Sequence, residues 1–257
     1  MIHNILKERS IKLYIMLGGF FIANALIAEV IGVKIFSLEA TLGFAPYNFT
    51  LLGQSGLSFS LTAGVLLWPV VFIMTDIINE YYGMRGVRFL SFITVGLIAY
   101  TFIAFSSAIG LQPPAWWVTS APNVPDMQQS YKAVLGQSNW IIIGSLVAFL
   151  VGQIVDVFVF HRIKSMTGEK KIWLRSTGST LISQFIDSYV VLIIAFYWGA
   201  GWSIQQVLAI GTVNYIYKFT IAIVLTPVIY GVHNLMDKYL GKAVAREMKV
   251  AAMQAQG

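Results

Sequence analysis

Residues 61–81 read LTAGVLLWPVVFIMTDIINEY, and this stretch decides the fold class. From Leu61 to Met74 only Thr62 is polar, so the run matches the ~20 residues that a helix needs to cross a bilayer. It is continuously apolar, whereas a barrel strand is about 10 residues long and alternates. At its far end stand Asp76, Asn79 and Glu80. Residues three and four apart share one helix face. Two carboxylates stacked on that face must look into a protein interior or a wet cavity, because facing lipid is costly. The segment therefore belongs to a bundle of membrane helices with a polar interior.

The rest of the 257 residues agrees. Hydrophobic residues make up 57% and charged residues 11%, against roughly 25% charged in soluble domains. A soluble enzyme and a nucleic-acid-binding module are excluded. Five further apolar segments lie at residues 11–35, 89–111, 140–160, 180–199 and 204–230. The expectation is an all-α, polytopic membrane protein with six transmembrane helices, one integral-membrane domain over residues 1–257, and a basic tail over 231–257. The first segment has the basic flank of a signal peptide, but its apolar character runs on to about Val33, too far for one. The absence of cysteine removes disulfides, thiol nucleophiles and cysteine metal sites.

Orientation follows from lysine and arginine. With the N-terminus in the cytoplasm, the inside segments hold Lys7, Arg9 and Lys12; Arg85 and Arg88; Arg162, Lys164, Lys170, Lys171 and Arg175; and Lys238, Lys242, Arg246 and Lys249. The outside segments hold only Lys34 and Lys132. This asymmetry places both termini in the cytoplasm. Residues 36–60 form a long outside segment expected to fold back against the membrane. Residues 112–138 form a second, with Trp116 and Trp117 as interfacial anchors. Residues 161–178 read as the main basic cytoplasmic loop. From Asn234 the tail reads as a basic amphipathic helix on the anionic inner leaflet.

Ionisable groups within spans are functional candidates by default. They are Glu29, Asp76, Glu80, Asp156, Asp187 and Lys218, with Asn24, Asn79, Gln153, Gln184 and Asn214 among them. Glu80 can line a site, or lie at the cytoplasmic mouth and pair with Arg85. Gln153-x-x-Asp156 and Gln184-x-x-Asp187 repeat one pattern on two helices joined by a cytoplasmic loop. Each offers an amide beside a carboxylate, either as a site or as interhelical glue. Lys218 offsets one carboxylate, with Asn214 a turn away. The result is a polar pocket in the cytoplasmic half, with Trp68, Phe72, Phe185 and Tyr189 close by. It suits a small, flat solute that donates hydrogen bonds: a carboxylate accepts the adjacent N–H groups of a guanine-type edge, and aromatic faces stack on its ring.

No phosphate-binding G-x-x-x-x-G-K-[ST] loop is present, so the chain has no ATPase of its own. There is no G-x-S-x-G elbow. The three histidines, His3, His161 and His233, are scattered near span ends and tails, which leaves no zinc site. Neither an enzyme nor a cofactor is expected.

Pro69-x5-Thr75-Asp76-x2-Asn79-Glu80-x2-Gly83, then Gln153-x2-Asp156, Phe160-His161-Arg162, and Trp173-Leu174-Arg175-Ser176-x2-Ser179-Thr180-x3-Gln184-x2-Asp187 together resemble the queuosine precursor transporter family, also called the vitamin uptake (VUT) family. The likeness covers nearly all of the chain from first span to last. It implies a solitary multi-pass inner-membrane importer of 7-deazaguanines: 7-cyano-7-deazaguanine, 7-aminomethyl-7-deazaguanine and, in some members, queuine. Ser188 stands where threonine is expected.

The candidate site is drawn where motif and polar inventory coincide: Asp76, Asn79, Glu80, Gln153, Asp156, Gln184 and Asp187, with Trp68, Phe72, Asn214 and Lys218 beside them. Asp187 or Asp156 would grip the guanine edge, Gln153 and Gln184 its carbonyl, and Trp68 or Phe72 would stack. Asp76 and Glu80 would bind a cation or exchange protons. The expected partners are this small molecule and membrane lipids, not nucleic acid. A second copy could pack on small-residue faces such as Gly18-Gly19. Two other readings stay open: a substrate-binding subunit that borrows an external ATPase, and a carrier of another nucleobase-like or vitamin solute.

Overall fold

A computed structural model describes residues 8–167 and 171–254. His3, Lys7 and Lys170 lie outside the described residues. Five helical stretches are long and apolar enough to cross a membrane: Arg9–Ile31, Trp68–Gly110, Met127–Thr167, Ile172–Trp198 and Ile204–Val224.

The first helix, α1 (Arg9–Ile31), stops at Gly32, four residues before the expected end. Residues 35–62 are not a plain loop. β1 (Ile35–Ser37) pairs antiparallel with β4 (Ser60–Thr62), and β2 (Phe49–Leu51) pairs with β3 (Gln54–Leu57). Between β1 and β2, a short helix α2 (Leu38–Thr41) carries Glu39, which is buried. Its carboxylate accepts the Phe59 N–H at 2.8 Å and the Ser37 hydroxyl at 3.1 Å, tying the segment into a β-arch. The purely helical expectation therefore fails here. Leu61 and Thr62, expected to open the second span, belong to β4, and a 3₁₀ turn (Ala63–Leu66) precedes the helix.

That helix, α3 (Trp68–Gly110), is 43 residues long, with one non-helical residue at Gly83, φ 70° and ψ −178°. A loop over 82–88 was expected; a single glycine suffices. The two arms fold back on each other beside α1. The start of α1 sits at the bend, where Tyr14 donates to the Gly86 carbonyl and Tyr82 to that of Ser10. The end of α1 lies near the far ends of both arms: a Cβ on Gly64 would lie 2.6 Å from the Ala28 carbonyl, and Gln137 donates to the Glu29 carbonyl. Phe21, Ala25, Val71, Ile77 and Ile78 build the apolar core between them. Gly18 packs on Leu90 of the same chain, so only Gly19 of that pair faces outward.

The second outside segment contains α4 (Ala115–Val118) and α5 (Met127–Leu135), the latter capped by Asp126. Gln128 of α5 binds the Ile109 carbonyl at the end of α3. α6 (Asn139–Thr167) and α7 (Ile172–Leu192) pack closely, with Gly144 against the backbone of Val191 and Gly152 beside Asp187. A π-helical turn (Ile193–Trp198) extends α7. Both helices run well into the expected basic loop, because Lys164 and Arg175 are buried on them rather than solvated. α8 (Ile204–Val224) ends where Pro227 starts a new helix, α9 (Thr226–Leu240). Proline inside a helix removes a backbone hydrogen bond and clashes with the preceding turn, so the expected span over 204–230 breaks at Leu225.

The tail helix α10 (Lys242–Gln254) docks on the α3 bend, burying Ala245 and Ala252 and leaving Lys242, Val244 and Arg246 exposed. Lys249 pairs with Asp237 at 2.8 Å and sits 4.9 Å from the Tyr81 ring centroid. Tyr81 donates to Asp237 at 2.6 Å. Partial burial pushes the Asp237 carboxyl up, but the Lys249 and Tyr81 hydrogen bonds outweigh it and hold the group below its ordinary value.

Two outcomes follow. A Gly83 side chain would meet the Ala252 carbonyl at 3.2 Å in a backbone conformation essentially reserved for glycine. Gly83→Ala should cost ~1–3 kcal/mol and lower the melting temperature in detergent, while Gly19→Ala, with open space around it, leaves it unchanged. Equal melting temperatures for Gly83→Ala and wild type would contradict the packed bend. Because the folded Asp237 pKa is depressed, its contribution to tail docking is complete above the unfolded value of about 3.9 and is lost as pH falls through the lower folded value. Limited proteolysis should therefore find α10 protected at pH 5, and released at neutral pH by Asp237→Asn.

Candidate functional site

α3, α7 and α8 diverge around a partly open cavity whose empty space, counted with its open mouth, is about 510 Å³. Its wall includes Trp68, Pro69, Phe72, Ile73 and Asp76 from α3, Thr177, Thr180 and Gln184 from α7, and Tyr217 and Lys218 from α8. These side chains share the cavity because each helix presents one stripe. Trp68, Phe72 and Asp76 are spaced four apart, as are Thr180 and Gln184. Trp68 is braced by Phe72 and Phe149, with ring centroids 6.3 and 5.6 Å away.

Of the residues expected to form a site, Asp76, Gln184, Trp68, Phe72 and Lys218 line this cavity, whereas Asn79, Glu80, Gln153, Asp156, Asp187 and Asn214 do not. Asp76 and Gln184 are both buried. Asp76 accepts the Ser176 hydroxyl on Oδ2, and its Oδ1 has no hydrogen-bond partner among the described residues. Gln184 Nε2 is likewise without an acceptor. Two cavity-lining residues thus each keep one buried polar atom, an acceptor on Asp76 and a donor on Gln184, without a partner among the described residues.

Lys218 forms an ion pair with Asp187, the role expected for it. Asn214 is half-buried one turn along α8. Gln153 accepts hydrogen bonds from Thr75 at 3.2 Å and Ser91 at 3.5 Å, so it ties α6 to both arms of α3. Asp156 accepts from Ser183 at 3.2 Å. Asn79 meets His161 Nε2 at 2.6 Å.

Glu80 does not lie at a solvated mouth, and its ion-pair partners are not Arg85. It is fully buried, with Lys164 Nζ at 3.1 Å from Oε2 and Arg175 Nη2 at 2.8 Å from Oε1. Both cations are themselves buried. Counting them as loop charges was wrong. The helical spacing held the signal, since Asp156, Phe160 and Lys164 fall on one face, as do Arg175, Ser179 and Ser183. His161 and His233, set aside as scattered, are buried too, and His233 stacks on Tyr81. Phe185 is not a site aromatic: it lies half exposed on the outer face against Tyr189 and Tyr215. The serine stripe on α7 and Tyr217 were not anticipated. No cluster of histidine and carboxylates suited to a metal occurs among the described residues.

Removing one partner from a buried ion pair leaves an uncompensated charge and costs about 3–5 kcal/mol. Glu80→Gln should therefore lose most folded protein on extraction, whereas Arg85→Gln should extract as well as wild type. Size-exclusion profiles in detergent read this directly, and a monodisperse, thermally normal Glu80→Gln would contradict it.

A family model described as "Putative vitamin uptake transporter" matches residues 62–232. "Probable queuosine precursor transporter" of Bacillus subtilis is 28% identical over 187 residues, covering 69% of this chain and 75% of that one. The protein of that name from Haemophilus influenzae is 27% identical over 199 residues, covering 73% and 76%. "Queuosine precursor transporter" of Escherichia coli is 28% identical over 211 residues, covering 79% and 85%. No solved structure matches the chain. Because the family match runs unbroken from β4 to His233's turn and takes in the whole cavity wall, this chain belongs to that family of vitamin uptake transporters.

Proposed function

We propose that this protein imports queuosine precursors across the inner membrane as 7-deazaguanines: 7-cyano-7-deazaguanine and 7-aminomethyl-7-deazaguanine, with queuine a further candidate. The two arms of α3 each cross the bilayer, giving six spans with both termini cytoplasmic. Supporting this, the start of α1, the bend at Gly83 and the α9–α10 turn lie together. Arg9 donates to the Tyr239 carbonyl at 3.2 Å, and Arg85, Arg88 and Lys238 stand nearby in sequence. That is the positive face expected of the cytoplasmic side.

The observation that carries the substrate reading is that two cavity-lining residues, Asp76 and Gln184, each hold one polar atom, Oδ1 and Nε2, without a partner among the described residues. A guanine-type edge offers N–H donors beside a carbonyl, the complement of a free carboxylate oxygen and a free amide N–H. Asp76 takes the N–H groups, Gln184 the carbonyl, and Trp68 or Phe72 the ring face. Asp156, Glu80 and Asn79 support these groups from behind. Asp187, paired with the cavity residue Lys218, would meet an aminomethyl cation. The three relatives carry queuosine precursor transport in their names.

The test is queuosine content of tRNA in a bacterial strain that neither makes nor imports deazaguanines, given a nanomolar supplement and read by boronate-gel shift. Expression of the protein should restore modification. A hydrogen bond to a charged group contributes about 1.5–3 kcal/mol and a neutral one about 0.5–1.5 kcal/mol, so at normal membrane abundance Asp76→Asn should cut initial uptake about tenfold or more and Gln184→Leu about two- to tenfold. Unmodified tRNA despite normal abundance of the wild type would point to another solute or a missing energising partner.

A further inference from the structure

We infer that Asp76 and Asp156 share a single proton and form the site that couples uptake to the proton gradient; this rests on the transport reading above. Both are fully buried, and each has one carboxylate oxygen without a hydrogen-bond donor among the described residues: Asp76 Oδ1 and Asp156 Oδ2. They stand on α3 and α6, within electrostatic range of each other. Neither forms an ion pair among the described residues. Their donors are serine hydroxyls from α7: Ser176 to Asp76, Ser183 to Asp156, with Ser179 beside Asp156.

The surrounding charges fix the proton count. From α7, Arg175 faces Asp76 but is bound to Glu80, as is Lys164 from α6. On α3 itself Glu80 faces Asp76 one turn away. His233 of α9 faces Glu80, and His161 of α6 is engaged by Asn79. Lys218 of α8 is neutralised by Asp187. Among the described residues the buried cluster thus holds three carboxyl groups, Asp76, Glu80 and Asp156, against two cations, Lys164 and Arg175. One proton on the aspartate pair makes the cluster neutral, which a low-dielectric interior demands. Two buried carboxylates within electrostatic range disfavour ionising together, which favours one proton between the pair.

Only Asp76 of the pair reaches the cavity. Accepting two N–H groups from a substrate requires it ionised, so on substrate arrival the proton rests on Asp156. When the proton leaves toward the cytoplasm, both carboxylates are charged and the occupied state is destabilised. Toward the outside, Asp187 lies within electrostatic range of buried Glu29, which stands beside Ser145. These groups continue the line of titratable side chains away from the pair.

The experiment uses purified full-length protein in proteoliposomes with 7-cyano-7-deazaguanine. One proton per substrate lets a one-unit pH gradient, alkaline inside, sustain about tenfold accumulation. A protonophore should reduce this to equilibration. Asp156→Asn should remove the gradient-driven component, and Asp156→Glu should restore it. The wild type alone should show the infrared carbonyl band of a buried carboxylic acid at neutral pH, diminished in Asp156→Asn. Accumulation indifferent to the gradient in wild type, or an unaltered acid band in Asp156→Asn, would overturn the shared proton. Absence of thermal stabilisation by any deazaguanine would instead overturn the substrate reading, with the acid band still reporting on the pair.

Discussion

The packing of α3, α6 and α7 is arranged around one buried carboxylate. Glu80 holds Lys164 and Arg175 at 3.1 and 2.8 Å, and through them binds α3 to α6 and α7. Phe160 lies 6.0 Å from each cation, closing the space between them. Desolvating each ion costs several kcal/mol, recovered only when geometry and secondary contacts are good. The interaction therefore acts as a registration device. Any slip of α6 or α7 along its axis would strand a charge in an apolar surrounding, so the three helices have one tolerable alignment.

That alignment decides where the other polar groups fall. One turn along α3 from Glu80, Asp76 lines the cavity and, among the described residues, receives the Ser176 hydroxyl. The contrast between the two carboxylates is one of neighbours, not of burial. Glu80 is saturated by cations and is architectural. Asp76 keeps one oxygen without a hydrogen-bond donor among the described residues, and it is this oxygen that the proposed substrate contact uses. Gln153 and Asn79 hold the intermediate positions with neutral partners, so polarity grades from fully paired ions to spare acceptors across a few turns.

Much of this was legible in the sequence. Continuous apolar runs marked the membrane-length helices, and Asp76, Gln184, Trp68, Phe72 and Lys218 were read as site residues and do line the cavity. What escaped has a common physical origin. Lys164 and Arg175 look like loop cations, because charge near a span end ordinarily means water. Only a partner 84 or more residues away in sequence shows that they are internal. Gly83 reads as one loop glycine among several, since positive φ is not encoded by residue type alone. Leu61 to Leu67 are apolar enough to pass for helix, yet Leu61 and Thr62 are recruited by pairing with residues 35–36 across the β-arch. In each case the deciding contact is long-range, and the sequence holds at most the helical spacing that puts Lys164 and Arg175 on polar faces.

The seat of α10 against Gly83 also fixes an order of events during synthesis. The bend is made by residue 83, but the surface that covers it belongs to Ala245 and Ala252. Chains emerge from the ribosome at about 5–20 residues per second, so the α3 hairpin is complete and in place many seconds before its cover exists. Throughout that interval the Gly83 backbone and the Tyr81 ring are uncovered by α10. Closing a contact across some 170 residues of chain comes last. The last helix is therefore the natural checkpoint of assembly: a chain truncated ahead of Lys242 would carry the complete cavity wall and still present an unsealed bend to the proteases that survey unfinished membrane proteins.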